Sequence, residues 1–213
     1  MTHEVESKFQ VTSSEVFHQI RSQKQVAGYR LANQGKFLQR DTYVDTSTRL
    51  LLRQGAYLRL RERDGTFLAT FKNKIDGNYV RRELEISLTA SQAQDLLNGN
   101  LANIPGEAIQ AAVSHLQGEE TLPVLYIENT RELWYLNSEA GCIKICFDDV
   151  RYTDGDPNQS ASEYELELEL EEGEDTFLQE ISQALSQRYQ LIPNSHSKYE
   201  RGNMLLNEGA TVG

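Results

Sequence analysis

The sequence predicts a mostly β fold with peripheral helices (α+β), its antiparallel strands closing or nearly closing into a barrel. Three observations carry this. Charged and apolar residues alternate with period two through many segments, which puts them on opposite faces of strands. Short Gly, Asp and Asn turns separate several of these segments, and hairpin-length links make neighbours antiparallel. Amphipathic stretches with helix-start signals flank the strands without alternating with each one.

Strands are expected near 2–10, 36–45, 56–63, 66–74, 79–88, 123–136, 141–150 and 162–172. Asp64-Gly65 makes a hairpin between the third and fourth. Asp76-Gly77-Asn78 links the fourth to the fifth, and Ser138-Glu139-Ala140-Gly141 the sixth to the seventh. Thr12-Ser13-Ser14-Glu15 has capping-box spacing and opens a helix over 13–24. Thr89-Ala90-Ser91-Gln92 repeats that signal, with Gly99 closing the helix. Pro105 opens a third helix that ends near Gly118. Phe177, Leu178, Ile181 and Leu185 mark an amphipathic helix over 175–188, and a last helix spans 197–206. A single domain over 1–207 is expected, with a frayed tail at 208–213.

Composition narrows the partners. The 213 residues carry 32 acidic and 21 basic side chains, a net charge of -11. Nucleic acid is therefore not expected, because its binding needs a basic face. No apolar run approaches the roughly 20 residues of a membrane helix. The first residues include Glu4 and Glu6 and no apolar signal core, so the cytoplasm is the expected location. Cys142 and Cys146 lie four residues apart on a strand, about 13 Å, too far for a disulfide.

The charges fall on shared faces. Glu4, Glu6 and Lys8 align, as do Arg59 and Arg61, Lys72 and Lys74, Arg81, Glu83 and Glu85, Lys144 and Asp148, and Glu165, Glu167, Glu169 and Glu171. A charged face opposite an apolar one is ordinary for an exposed antiparallel sheet. Like charges repeating down one strand are less ordinary, since a solvated face usually mixes signs. Clustered carboxylates suit hard divalent cations, and the Arg and Lys pairs suit an anion. The arrangement that reconciles these is a barrel with a polar interior and helices over its apolar outside. Asp41, Tyr43 and Asp45 also share a face, with a surface role expected. Trp134 and Tyr135 read as packing.

Glu4-x-Glu6-x-Lys8 resembles the ExExK signature of the CYTH superfamily, the triphosphate tunnel metalloenzymes. Arg59-Leu60-Arg61, Thr70-Phe71-Lys72-Asn73-Lys74, Arg81-Arg82-Glu83-Leu84-Glu85, Thr130-Arg131, Phe147-Asp148-Asp149, Glu165-Leu166-Glu167 and Ser197-Lys198-Tyr199-Glu200-Arg201-Gly202 follow in the family's order. The resemblance implies an eight-stranded antiparallel barrel forming a polar tunnel, and a triphosphate substrate with Mg2+ or Mn2+. The acidic last strand and the Ser-Lys-x-x-Arg-Gly ending look most similar to the bacterial inorganic triphosphatases.

On that resemblance, Glu4, Glu6, Glu83, Glu85, Asp148, Glu165 and Glu167 are the candidate metal ligands. Lys8, Arg59, Arg61, Lys72, Lys74, Arg81, Arg131 and Lys198 are the candidate substrate binders, with Lys8, Arg59, Arg61, Lys72 and Lys198 counted as catalytic. The implied reaction is hydrolysis of tripolyphosphate to pyrophosphate and phosphate by a monomer or homodimer. Alternatives are a thiamine or nucleoside triphosphatase, a class IV adenylate cyclase, a non-catalytic polyphosphate binder, and a structural barrel with a salt-bridged interior.

Overall fold

The computed structural model describes residues 5–74, 81–156 and 158–210, without the side chains of Lys74, Arg81, Arg82 and residues 208–210. Glu4 and the turn Asp76-Gly77-Asn78 lie outside the described residues, as do the side chains of Lys74 and Arg81.

The strands are β1 (Glu6–Val11), β2 (Gln25–Val26), β3 (Tyr29–Asp45), β4 (Ala56–Arg63), β5 (Thr66–Lys74), β6 (Arg81–Leu88), β7 (Leu122–Ser138), β8 (Gly141–Thr153), β9 (Ser160–Gly173) and β10 (Ile192–Pro193). The helices are α1 (Ser14–Ser22), α2 (Leu50–Arg53), α3 (Ala90–Leu97), α4 (Glu107–Leu116), α5 (Asp175–Tyr189) and α6 (Lys198–Ala210). Hydrogen bonds join the strands in the order β10-β1-β9-β8-β7-β3-β4-β5-β6, with β2 against β3. The fold is thus a large, mostly antiparallel sheet with helices. Ten strands form it where about eight were expected, and hydrogen bonds do not close it among the described residues. The two additional strands, β2 and β10, are two residues each, too short for an alternating pattern to reveal. No described helix is long and apolar enough to cross a membrane.

Local signals explain most boundaries. Asp64 and Gly65 both adopt left-handed backbone, with φ of 51° and 74°, as the two central residues of a hairpin turn require. That turn sets Arg63 opposite Thr66 and hence the whole β4–β5 register. Thr89 and Gln92 complete a reciprocal capping box at α3. The corresponding box at Thr12 and Glu15 does not form: Ser13 is the cap of α1 and its side chain makes no capping bond. α4 begins at Glu107, after Gly106 with φ of 131°, and not at Pro105.

The chain divides into two compact units. The first comprises Met1–Leu38, Asn129–Val150 and Ser162–Ser195. Its core joins Phe9 of β1, Ile145 and Phe147 of β8, and Leu166 and Leu168 of β9 to Phe17 and Ile20 of α1 and Ile181 and Leu185 of α5. The second comprises Gln39–Glu128, Arg151–Ala161 and His196–Gly213. Its core joins Val44, Leu58, Leu60 and Phe71 of β3, β4 and β5 to Leu96 of α3 and Ile109 of α4. Each fully buried side chain of this kind contributes about 1.5–3 kcal/mol. In both units helices cover the apolar strand face, which leaves the alternate residues, the charged ones, on the other face.

Candidate active site

In the first unit, three carboxylates converge. One oxygen each from Asp148, Glu165 and Glu167 lies within 4.8 Å of the others. Asp148 is fully buried and Glu165 is 1% exposed. β8 supplies the first and β9 the other two, because Phe147, Leu166 and Leu168 turn the opposite way into the core. Arg131 of β7 keeps these like charges together. Its Nε donates to Asp148 Oδ1 at 2.7 Å and its Nη2 to Asp148 Oδ2 at 2.5 Å, while Nη2 also donates to Glu167. Burial works most strongly against the Arg131 charge, yet Asp148 and Glu167 outweigh it and raise the guanidinium pKa well above its usual range. Asn194 Nδ2 donates to Glu165 Oε2 at 3.0 Å.

Lys8 borders this group. It stands opposite Glu167 in the β1–β9 ladder, with Nζ 3.0 Å from Glu6 and 3.8 Å from Glu167. Lys144 is half-buried and pairs with Glu169 and Glu171.

In the second unit the balance reverses. Asp41 is 1% exposed and directly opposite Arg61 in the β3–β4 ladder. Arg61 grips it with both arms, Nε to Oδ1 and Nη2 to Oδ2, each at 2.7 Å. Arg59 lies opposite Tyr43, its Nη1 4.0 Å from Asp41 Oδ2. Arg59 Nη2 donates to Thr70 Oγ1 at 3.1 Å, and Thr70 donates onward to Glu85 at 3.0 Å. Among the described residues, the buried Arg59 Nε has no hydrogen-bond partner. Lys72 Nζ is 3.0 Å from Glu83. Lys198 opens α6 and is 9% exposed. Burial alone raises the Asp41 pKa, the largest single influence. The Arg61 hydrogen bonds and the charges of Arg59, Arg61 and Lys198 together outweigh it and hold the carboxyl below the ordinary aspartate value.

The expected metal ligands therefore separate. Asp148, Glu165 and Glu167 form the trio, and Glu6 is salt-bridged to Lys8 beside Glu167. Glu83 and Glu85 instead belong to the second unit, among its cations. Of the expected substrate binders, Arg59, Arg61, Lys72 and Lys198 are in the second unit, while Lys8 and Arg131 are in the first, against carboxylates. Both cysteines are free, and burial, the largest influence, pushes the Cys146 thiol up to about 12.

The face shared by Asp41, Tyr43 and Asp45, expected at the surface, is buried at 1%, 2% and 0% exposure. Their even spacing was the visible signal. Its meaning depends on Arg61 and Tyr199, which come from β4 and α6 and which no local window reaches. Thr70 and Asn194 were likewise not foreseen.

A cavity of about 650 Å³ in the second unit is lined by Arg40, Asp41, Thr42, Leu60 and Glu62 of β3 and β4, with Ala93 and Leu97 of α3.

The family model described as the CYTH domain matches residues 2–202. No curated protein matches the sequence. Among solved structures, a Bacillus halodurans protein that carries a provisional adenylate cyclase name is 22% identical, with a TM-score of 0.68, over 93% of this chain and 96% of its own. A Hippeastrum protein, provisionally named an adenylyl cyclase and described as having a dominant triphosphatase activity, is 15% identical, with a TM-score of 0.70, over 95% and 96%. A Vibrio parahaemolyticus protein, also with a provisional cyclase name, is 19% identical, with a TM-score of 0.51, over 92% and 95%. At these identities the likeness is one of fold.

Proposed function

This chain belongs to the CYTH domain family, and on that premise we propose that it is a metal-dependent triphosphatase that cleaves inorganic tripolyphosphate to pyrophosphate and phosphate. The observation that carries the reading is the trio of Asp148, Glu165 and Glu167, whose carboxylate oxygens lie within 4.8 Å of one another, with Arg131 bonded to Asp148 and Glu167. Three converging carboxylate oxygens are the kind of donor set that holds a divalent cation. The donor set is all oxygen, which fits Mg2+ or Mn2+ and disfavours soft metals. When bound, the cation screens phosphate oxygens and lowers the pKa of a coordinated water.

The chain's own residues supply the rest. Arg131 fixes the orientation of Asp148 and Glu167, and Asn194 that of Glu165. Arg59, Arg61, Lys72 and Lys198 bind phosphate oxygens. Water adds to the terminal phosphorus as that phosphorus loses its bond to the bridging oxygen; pyrophosphate leaves, and the proton given up by the water passes to the leaving oxygen or to solvent. Charge spreads over the transferred oxygens in this loose transition state, so positioned cations do most of the catalysis. Arg61 is pre-set by its two bonds to Asp41, and Arg59 by Thr70, so little reorganisation is needed when the anion arrives.

The deciding experiment is phosphate release from tripolyphosphate, thiamine triphosphate, ATP and pyrophosphate, each with Mg2+ or Mn2+. Tripolyphosphate is expected to turn over fastest. Cyclic AMP formed from ATP would transfer the reading to a cyclase, and binding of tripolyphosphate without phosphate release would reduce it to a binder.

A further inference from the structure

Asp45 is fully buried on a strand and accepts four hydrogen bonds. Three are local. Thr46 N and Leu51 N donate to Oδ1 at 2.7 and 2.9 Å, and Leu52 N donates to Oδ2 at 3.0 Å. The last two satisfy N–H groups at the start of α2, whose cap residue Arg49 is left-handed and makes no side-chain cap. The fourth comes from 154 positions away: Tyr199 Oη donates to Oδ2 at 2.9 Å. That bond ties α6 to the same carboxylate that holds α2.

Tyr199 is the second residue of α6, directly after Lys198. Its ring lies flat on Tyr43, with centroids 4.6 Å apart and planes 6° apart. Tyr43 in turn stands opposite Arg59 in the β3–β4 ladder. Burial raises the Tyr199 pKa, and the Asp45 charge and hydrogen bond raise it further, so the phenol remains a donor at neutral pH. The helix start is held from its own side as well. Ser197 N donates to Glu200 at 2.7 Å and Glu200 N to Ser197 Oγ at 3.2 Å, a reciprocal capping box. Gly202 completes the fit, since a Cβ there would meet Leu125 and Tyr152 at 2.7 Å.

We propose that Asp45 and Tyr199 are positioning residues, which fix the first turn of α6 and thereby place the Lys198 ammonium for the triphosphate. The inference rests on Lys198 binding triphosphate as proposed above. A carboxylate locked by three backbone donors is a rigid anchor, and a phenol with two soft torsions transmits that rigidity to the residue beside it. Lysine by itself is a point charge on a flexible stem, so its contribution to a phosphate site depends on where its backbone is held.

The test is a double-mutant cycle of wild type, Tyr199→Phe, Lys198→Met and the double variant. It reads kcat/KM for tripolyphosphate, the tripolyphosphate dissociation constant by calorimetry, and thermal melting. Tyr199→Phe is expected to lower kcat/KM about tenfold beside Lys198 and less than about twofold in the Lys198→Met background. Asp45→Asn, which sets an NH2 group against two of the four donors, is expected to lose at least as much kcat/KM as Tyr199→Phe and to lower melting further. Equal losses in both backgrounds, or none, overturn the positioning role, because a merely structural bond lowers melting in both and leaves the cycle additive. If Lys198→Met matches wild type while turnover persists, the inference falls and the triphosphatase reading stands. If wild type neither binds nor turns over tripolyphosphate, both fall.

Discussion

The first unit gathers three carboxylates, two of them bonded to one guanidinium; the second sets two guanidiniums and a buried lysine around one carboxylate. Both use one device, a strand face left charged because helices bury the alternate residues. They differ in which sign gathers around the other. In each, an opposite charge, Arg131 or Asp41, sits among like charges and lessens their mutual repulsion. On the proposed function, the first group takes a cation and the second an anion. A tally of net charge, -11 over the chain, conceals this, because the cations of the second unit are local.

The largest effects separate the two groups by parameter. Asp148→Asn or Glu165→Gln, and Arg59→Ala in the other unit, are each expected to lower tripolyphosphate turnover by at least about a hundredfold. The carboxylate variants should raise the metal concentration at half-maximal phosphate release. Arg59→Ala should raise KM at unchanged metal dependence. If both classes shift the same parameter, the division into a cation group and an anion group is lost.

Smaller effects fall on stability. Arg61→Ala leaves the buried Asp41 carboxylate without its bidentate partner and should cost about 3–5 kcal/mol in urea unfolding. Arg131→Ala should also destabilise, but there millimolar Mg2+ should restore stability, since a divalent cation can neutralise the trio. Mg2+ should not restore Arg61→Ala. Equal rescue of both would break the contrast.

The smallest is a pH effect. The Asp41 pKa is lower folded than unfolded, so the unfolded chain binds the proton more readily. The stability it contributes is present above the ordinary aspartate range and is lost as pH falls through the folded value. Unfolding measured from pH 6 downward should show that acid loss in wild type, and Asp41→Asn should show a shallower one.

Strand faces were legible from the residues because period two needs only the strand itself. Arg59 against Leu58, and Glu165 against Leu166, follow from order alone. So did the Asp64-Gly65 turn and the Thr89 capping box, whose partners are at most three residues apart. α2 was not legible. It is four residues long, and its exposed N–H groups are met by Asp45 from before the helix. Nor was the placement of Glu83 and Glu85. Their alternation matches that of Glu165 and Glu167, and only the β5–β6 register sets Glu83 against Lys72 and Glu85 against Thr70.

Residue order therefore settles which side chains are charged, which share a face and which turns reverse the strands, since each depends on neighbours a few bonds away. Tertiary contact alone settles which carboxylate meets which cation. Asp148 meets Arg131 across 17 positions, Asp41 meets Arg61 across 20, and Asp45 meets Tyr199 across 154. An ion's pKa, burial and role are properties of the pair, and the pair exists only once the strands have found their register.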